Sequence, residues 1–141
     1  MGGLLSALTG EAEAEAPTAE SSSPSRVIVF NLSHEWKQHF NATKELNKLM
    51  VVDFTASWCG PCKFMEPFII SMASKYTDVK FIKIDVDKVK EVATEYKVTA
   101  MPTFVLIKQG KEVDRLLGAN KVELEKKILE HKPREVPKFA A

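Results

Sequence analysis

Cysteine is scarce in this sequence, because its 141 residues include only two, at positions 59 and 62. Two cysteines cannot build the disulfide framework that holds many small secreted domains together. A disulfide across so short a loop would constrain the unfolded chain by about 2 kcal/mol, against about 4.7 kcal/mol for a loop of about 100 residues. A purely structural disulfide is therefore disfavoured.

The other soft metal ligands are also few. A tetrahedral zinc site needs about four ligands, and the three histidines, His34, His39 and His131, have no ligand spacing relative to the cysteines. No metal site is expected.

Two further absences exclude other classes of protein. No apolar run approaches the roughly 20 residues of a membrane-spanning helix. Net charge is +1, and basic residues do not interleave with aromatic residues along one face, so no nucleic-acid partner is expected. The content of 45% hydrophobic and 28% charged residues is typical of a soluble globular domain.

Residues 1–25 lack lysine, arginine and aromatic residues and contain four glutamates. A segment rich in Ala, Glu, Ser and Pro buries too little apolar surface to offset the entropy of ordering it. We therefore predict a disordered acidic extension over 1–25, one domain over 26–132, and a tail over 133–141.

The remaining sequence predicts strands alternating with helices. Strands are expected at 26–30, 49–56 and 79–86, a hairpin turning at Gln109-Gly110, and helices at 33–47, 59–75, 89–97 and 120–131, with Ser33 and Asn120 as N-caps. The apolar run at 49–56 predicts a strand buried on both faces, as in a parallel sheet. The fold class is α/β: a mixed sheet with a parallel core and an antiparallel hairpin, flanked by helices.

Both cysteines lie in the segment DFTASWCGPCK, which spans residues 53–63. The predicted strand ends before them, so Cys59 is placed at a helix N-terminus, where free N–H groups and the helix dipole stabilise a thiolate. Pro61 suits the first helical turn. We predict that Cys59 attacks a substrate disulfide and that Cys62, one turn later, resolves the mixed disulfide.

Asp53 lies within the predicted buried strand, six residues before Cys59. Burial would raise the pKa of its carboxyl, so that it could take the Cys62 proton near neutral pH. The alternative is an aspartate at the strand end that points into solvent.

The WCGPC segment, together with Asp53, Pro67, the Met101-Pro102 dipeptide and the order of the strands, resembles the thioredoxin family over roughly residues 27–131. The acidic, glycine-led start is similar to a subgroup of the plant h-type thioredoxins. The resemblance implies the thioredoxin fold.

The family resemblance also implies roles for individual residues. Pro102 would be cis and face the cysteines, and Lys83 would lie near Asp53 and tune its ionisation. A lone strand lysine would otherwise be read as solvated, and Gly118 as an ordinary loop glycine. The implied substrate-binding surface comprises Trp58, Gly60, Pro61, Met101, Pro102 and Gly118.

The resemblance further implies a protein-disulfide reductase without a bound cofactor, whose thiols are re-reduced by a thioredoxin reductase drawing on NADPH. Its partners would be proteins that contain disulfides. Two alternatives are a binding module that holds partners with little turnover, and a disulfide isomerase or oxidase. Gly60-Pro61 between the cysteines favours a reductant, because oxidising relatives commonly carry histidine before the second cysteine.

The first six residues, MGGLLS, match the N-myristoylation pattern, with Gly2 as the acylated residue and Ser6 in place. The alternative is an unmodified start. The expected location is cytosolic with weak membrane association, and mitochondrial or endomembrane locations are the alternatives.

Overall fold

The computed structural model describes residues 25–134. Gly2, nearly all of the predicted acidic extension and most of the predicted tail lie outside these residues. The elements are β1 (Ile28–Phe30), α1 (Ser33–Thr43), β2 (Leu49–Thr55), α2 (Gly60–Lys75), β3 (Val79–Asp85), α3 (Lys90–Glu95), β4 (Thr103–Lys108), β5 (Lys111–Leu117) and α4 (Lys121–His131). Their order along the chain is the predicted one.

The five strands form one mixed sheet in the order β1-β3-β2-β4-β5. β3 pairs in parallel with both β1 and β2, whereas β4 pairs antiparallel with β2 and with β5. The predicted parallel core and antiparallel hairpin are confirmed. The hairpin turns at Gln109 and Gly110, which both have positive φ, the backbone of a two-residue type I′ turn.

Side chains on the two faces of β2 enter different cores. Leu49 and Val51 pack with residues of α2 and α4, whereas Met50, Val52 and Phe54 pack with residues of α1 and α3. All seven residues of β2 are buried, as the apolar run predicted. Because alternate side chains share a face, Asp53 lies on the face that α2 and α4 cover.

The predicted N-cap and the predicted end of α1 were wrong. Leu32 occupies the N-cap position with no side-chain hydrogen bond, and Ser33 is the first helical residue. The helix ends at Thr43 rather than near Asn47, and the Thr43 hydroxyl donates to the His39 carbonyl oxygen at 2.8 Å. Such a bond gives the backbone a local alternative to the helical pattern. The other predicted elements agree with the structure to within two residues at each end.

None of the helices within residues 25–134 has both the length and the apolar composition needed to cross a membrane.

Candidate active site

The redox pair lies where β2 ends and α2 begins. Cys59 occupies the N-cap position of α2, and its Sγ accepts a hydrogen bond from the Cys62 backbone N–H at 3.2 Å. Pro61 stands in the first turn, where its missing N–H leaves no helical hydrogen bond unmade. The sulfur of Cys59 therefore faces the N–H groups that stabilise a thiolate.

Cys59 and Cys62 form a disulfide and are both buried. Ala56 completes this small cluster, and Val86 and Met101 pack against it. Gly60 and Pro61 between the cysteines are exposed. The exposed Gly60-Pro61 turn thus lies next to the two buried sulfurs.

A second loop, which contains Met101 and Pro102, reaches the sulfurs. The Met101-Pro102 peptide bond is cis, and the Met101 carbonyl oxygen lies 3.7 Å from the Cys59 Sγ. The Pro102 carbonyl oxygen in turn accepts from the Gly118 N–H at 2.9 Å. Gly118 has φ of +102°, a conformation that glycine adopts without strain. The Met101 loop thus reaches the disulfide, and Gly118 holds that loop through Pro102.

Trp58 is 66% exposed beside the cysteines. Its indole Nε1–H donates to the Asp87 carboxylate at 2.8 Å, which fixes the ring orientation at the surface. Asp87 itself is ordered by a backbone N–H bond of 2.8 Å to the Asp85 carboxylate. An exposed aromatic ring that is held by a hydrogen bond loses little conformational entropy when another surface contacts it.

Asp53 is 6% exposed, and its Oδ1 has no hydrogen-bond partner among residues 25–134. Burial raises the pKa of the Asp53 carboxyl to about 7, while the Lys83 ammonium opposes the rise and the Glu66 carboxylate reinforces it. The alternative of a solvent-pointing aspartate is therefore wrong. A carboxyl with a pKa near 7 can accept and return a proton at neutral pH.

Lys83 stands beside Asp53 in the parallel register of β3 with β2. Its ammonium donates to the Glu66 carboxylate at 2.9 Å. Asp53, Glu66 and Lys83 line one pocket of about 200 Å³, whose other walls include Val27, Val29, Ile69 and Ile70. The pocket thus combines three charged side chains with apolar ones, and the Asp53 carboxyl within it is largely buried.

Two residues of this site were missed by sequence reasoning. Glu66 follows Cys62 by four positions, the spacing at which helical side chains share a face, and this signal could have indicated it. Asp87 follows the end of β3 and meets Trp58 only through the fold, so no local pattern indicates it.

Among residues 25–134, Asp114, Glu130 and His131 could place ligand atoms near one another for a metal ion. The Asp114 carboxylate is already bonded by Lys127 at 3.0 Å and His131 at 3.0 Å. The cluster lies on β5 and α4, so the structure adds no metal to the redox pair.

A buried pair of cysteines that form a disulfide at a helix N-terminus, next to a cis-proline loop, defines a thiol–disulfide oxidoreductase. The sequence profile of the Thioredoxin family matches residues 28–130. The chain belongs to the thioredoxin family, and its redox centre is the Cys59–Cys62 disulfide.

Plant h-type thioredoxins are among its most similar relatives. Thioredoxin H2 of Arabidopsis thaliana is 56% identical over 128 residues, covering 91% of this chain and 96% of its own. An H-type thioredoxin of Fagopyrum esculentum is 50% identical over 108 residues, covering 77% of this chain and 93% of its own.

A solved structure agrees with these sequence comparisons. The crystal structure of the thioredoxin NaTrxh from Nicotiana alata has 64% sequence identity and a TM-score of 0.77, covering 79% of this chain and 96% of that one. The chain is thus a protein-disulfide reductase of the thioredoxin type.

Proposed function

We propose that Cys59 is the attacking thiolate of this reductase, that Cys62 resolves the mixed disulfide, and that Asp53 takes the Cys62 proton. The observation that carries the first assignment is the N-cap position of Cys59, with its sulfur accepting the Cys62 N–H. The sulfur at this position gains the helix N-terminus as a counter-charge.

The proposed sequence balances in atoms and electrons. The Cys59 thiolate attacks one sulfur of the target disulfide, that S–S bond breaks, and the released target thiolate takes a proton from solvent. Cys62 then gives its proton to the Asp53 carboxylate, and its sulfur attacks Cys59. The second target thiolate leaves and is protonated, so that two electrons pass to the target and the Cys59–Cys62 bond forms.

The proposed substrate surface comprises Trp58, Gly60, Pro61, Met101, Pro102 and Gly118. This proposal is supported by the exposed Trp58 ring, which precedes Cys59 in the chain, and by the Met101 carbonyl oxygen, which lies 3.7 Å from the Cys59 Sγ. An extended segment of a target protein would lie between them. The reduced state would be restored by a separate thioredoxin reductase that uses NADPH, and the proposed location is the cytosol.

Trapping tests the assignment of the two thiols. We expect Cys62→Ser to accumulate stable mixed disulfides with disulfide-containing targets, because the resolving thiol is missing. Cys59→Ser should trap none. Equal trapping by the two variants would refute the assignment, and mass spectrometry of the conjugates identifies the bonded cysteine.

Insulin reduction with a thioredoxin reductase and NADPH present separates turnover from simple holding of a partner. A catalyst reduces many molar equivalents of insulin, whereas a binding module reduces about one equivalent and then no more. The matched control is the Cys59→Ser variant at the same concentration.

We also propose weak membrane association through a myristoyl group on Gly2. The MGGLLS pattern supports it, and Gly2 lies outside the described residues. Mitochondrial and endomembrane locations are the alternatives to the cytosol.

A further inference from the structure

We propose that Glu66 is a positioning residue of the redox site: its ion pair with Lys83 sets how readily Asp53 takes up a proton. The inference rests on the role proposed above for Asp53 in the resolving step. Glu66 itself need not touch the target or the sulfurs.

The fold places the three charged residues on one side of the sheet. Lys83 and Asp53 are register partners on neighbouring parallel strands, so their side chains leave the sheet on the same face. Glu66 lies on α2, the helix that covers this face and also carries Cys62. All three residues line the same pocket of about 200 Å³.

The contact that holds the arrangement is the ion pair between the Lys83 ammonium and the Glu66 carboxylate, with N···O of 2.9 Å. The side chains of Lys83 and Glu66 are 33% and 44% exposed. Lys83 is thereby engaged by Glu66, while the Asp53 Oδ1 has no hydrogen-bond partner within residues 25–134.

No other charged residue of the described chain acts strongly on Asp53. Lys83 lowers the pKa of its carboxyl and Glu66 raises it, both against the larger effect of burial. Val27, which precedes β1, and Val29 of β1 line the pocket, and Phe104 of β4 is the register partner of Asp53. Besides Glu66, α2 carries the Cys62 thiol, which can titrate when the protein is reduced, and Lys63 and Lys75, neither of which has a resolved effect on Asp53. The protonation of the buried Asp53 carboxyl therefore depends on the charges of Glu66 and Lys83.

Two variants should shift the pH at which the Asp53 carboxyl titrates in opposite directions. In Glu66→Gln, Lys83 keeps its charge without the opposing anion, so Asp53 should titrate at lower pH. In Lys83→Gln, the stabilising cation is gone and Asp53 should titrate at higher pH. Each shift should be roughly 0.2 to 0.7 pH unit, the range set by partly exposed charge pairs.

The measurement is a carboxyl-carbon NMR titration of Asp53 in the full oxidised chain, for the parent and the two variants. The matched control is Glu125→Gln, which removes an ion pair of the same 2.9 Å length between Lys75 of α2 and Glu125 of α4. A purely structural ion pair predicts no shift in any variant. Shifts of the same sign in Glu66→Gln and Lys83→Gln, or no shift beyond the control, would overturn the proposal.

Kinetic measurements distinguish a failure of the role proposed for Asp53 from a failure of the role proposed for Glu66. The pH profile of single-turnover target reduction should move in the same direction as the NMR titration for Glu66→Gln. If Asp53→Asn reduces targets at the parental rate across this pH range, the proposed role of Asp53 fails. If only Asp53→Asn changes the profile and Glu66→Gln does not, Asp53 keeps its role and the proposal for Glu66 is overturned.

Discussion

The Asp53 carboxyl is buried, and its Oδ1 lacks a hydrogen-bond partner within residues 25–134. Its pKa is raised to about 7 in the folded protein, against about 3.9 in an unfolded chain. The folded state therefore binds the proton more tightly, and the free energy of unfolding falls as pH rises from about 4 to about 7. Above that range the cost of the charged form is about 4 kcal/mol, an upper figure because the site relaxes.

Replacing Asp53 by asparagine should remove this pH-dependent cost. We expect Asp53→Asn to be more stable than the parent at pH 8, by a margin that shrinks towards pH 5, while target reduction slows. Urea unfolding at the two pH values measures the margin, and insulin turnover measures the activity. An equal margin at both pH values would contradict the assigned burial of the charge.

Some residues of the candidate site could be predicted from the sequence, and others could not. Cys59 and Cys62 were indicated by their spacing, and Asp53 by an apolar run that the structure shows to be buried. Asp87 could not be predicted, because its contact with Trp58 joins residues 29 positions apart. Its location depends on how β3 and β2 align, which no local pattern encodes.

Sequence patterns predicted the interior residues of helices and strands better than the residues at which these elements begin and end. The alternation and apolar runs that define β2 and β3 depend on burial, which many residues determine together. The start of α1 depends on one backbone conformation, and Leu32 rather than Ser33 adopts the extended N-cap geometry. Asn120 was correctly predicted as the N-cap of α4, since its side chain accepts the Glu123 N–H at 3.0 Å.

Removing the Asn120 cap should destabilise α4. Asn120→Ala leaves the Glu123 N–H without its side-chain acceptor and should cost about 1 kcal/mol. The urea midpoint should fall while the slope of the transition stays constant. Asn120→Ser, which keeps an acceptor oxygen, is the matched control and should retain most of the stability. A midpoint unchanged by Asn120→Ala would show that the bond contributes nothing.

For the whole molecule, the order of elements and the mixed sheet followed from the sequence. The spatial order of the strands, with β3 between β1 and β2, was not predicted from the sequence patterns. Crossover connections permit several strand orders for the same sequence of elements, and side-chain packing on both faces selects one.

A myristoyl group on Gly2 would determine how the whole protein divides between the membrane and the soluble fraction. A single myristoyl chain binds membranes with a constant of only about 10⁴ M⁻¹, so firm anchoring usually needs a second signal. Residues 1–25 contain no cysteine for palmitoylation and no basic residue, and they carry four glutamates. Anionic lipids should repel these charges.

Gly2→Ala should therefore move the membrane-associated fraction entirely into the soluble fraction, with disulfide reduction unchanged. The acylated parent should bind neutral vesicles better than anionic ones, and salt should reduce the difference. Mass spectrometry of the natural N-terminus is the direct measurement. An unmodified Gly2, or membrane recovery that Gly2→Ala leaves unaltered, would refute the attachment.

The central position of β2 has a consequence for amide hydrogen exchange. Every residue of β2 is buried and the strand is paired on both sides, whereas β1 has three residues and pairs with β3 alone within the described chain. Local opening should thus release the amides of β1 early and those of β2 only when the entire domain opens. Only three residues separate the end of β2 from Cys59, so the strand that supports the redox disulfide should be among the last to open, and we expect reductase activity to disappear on heating together with the fold.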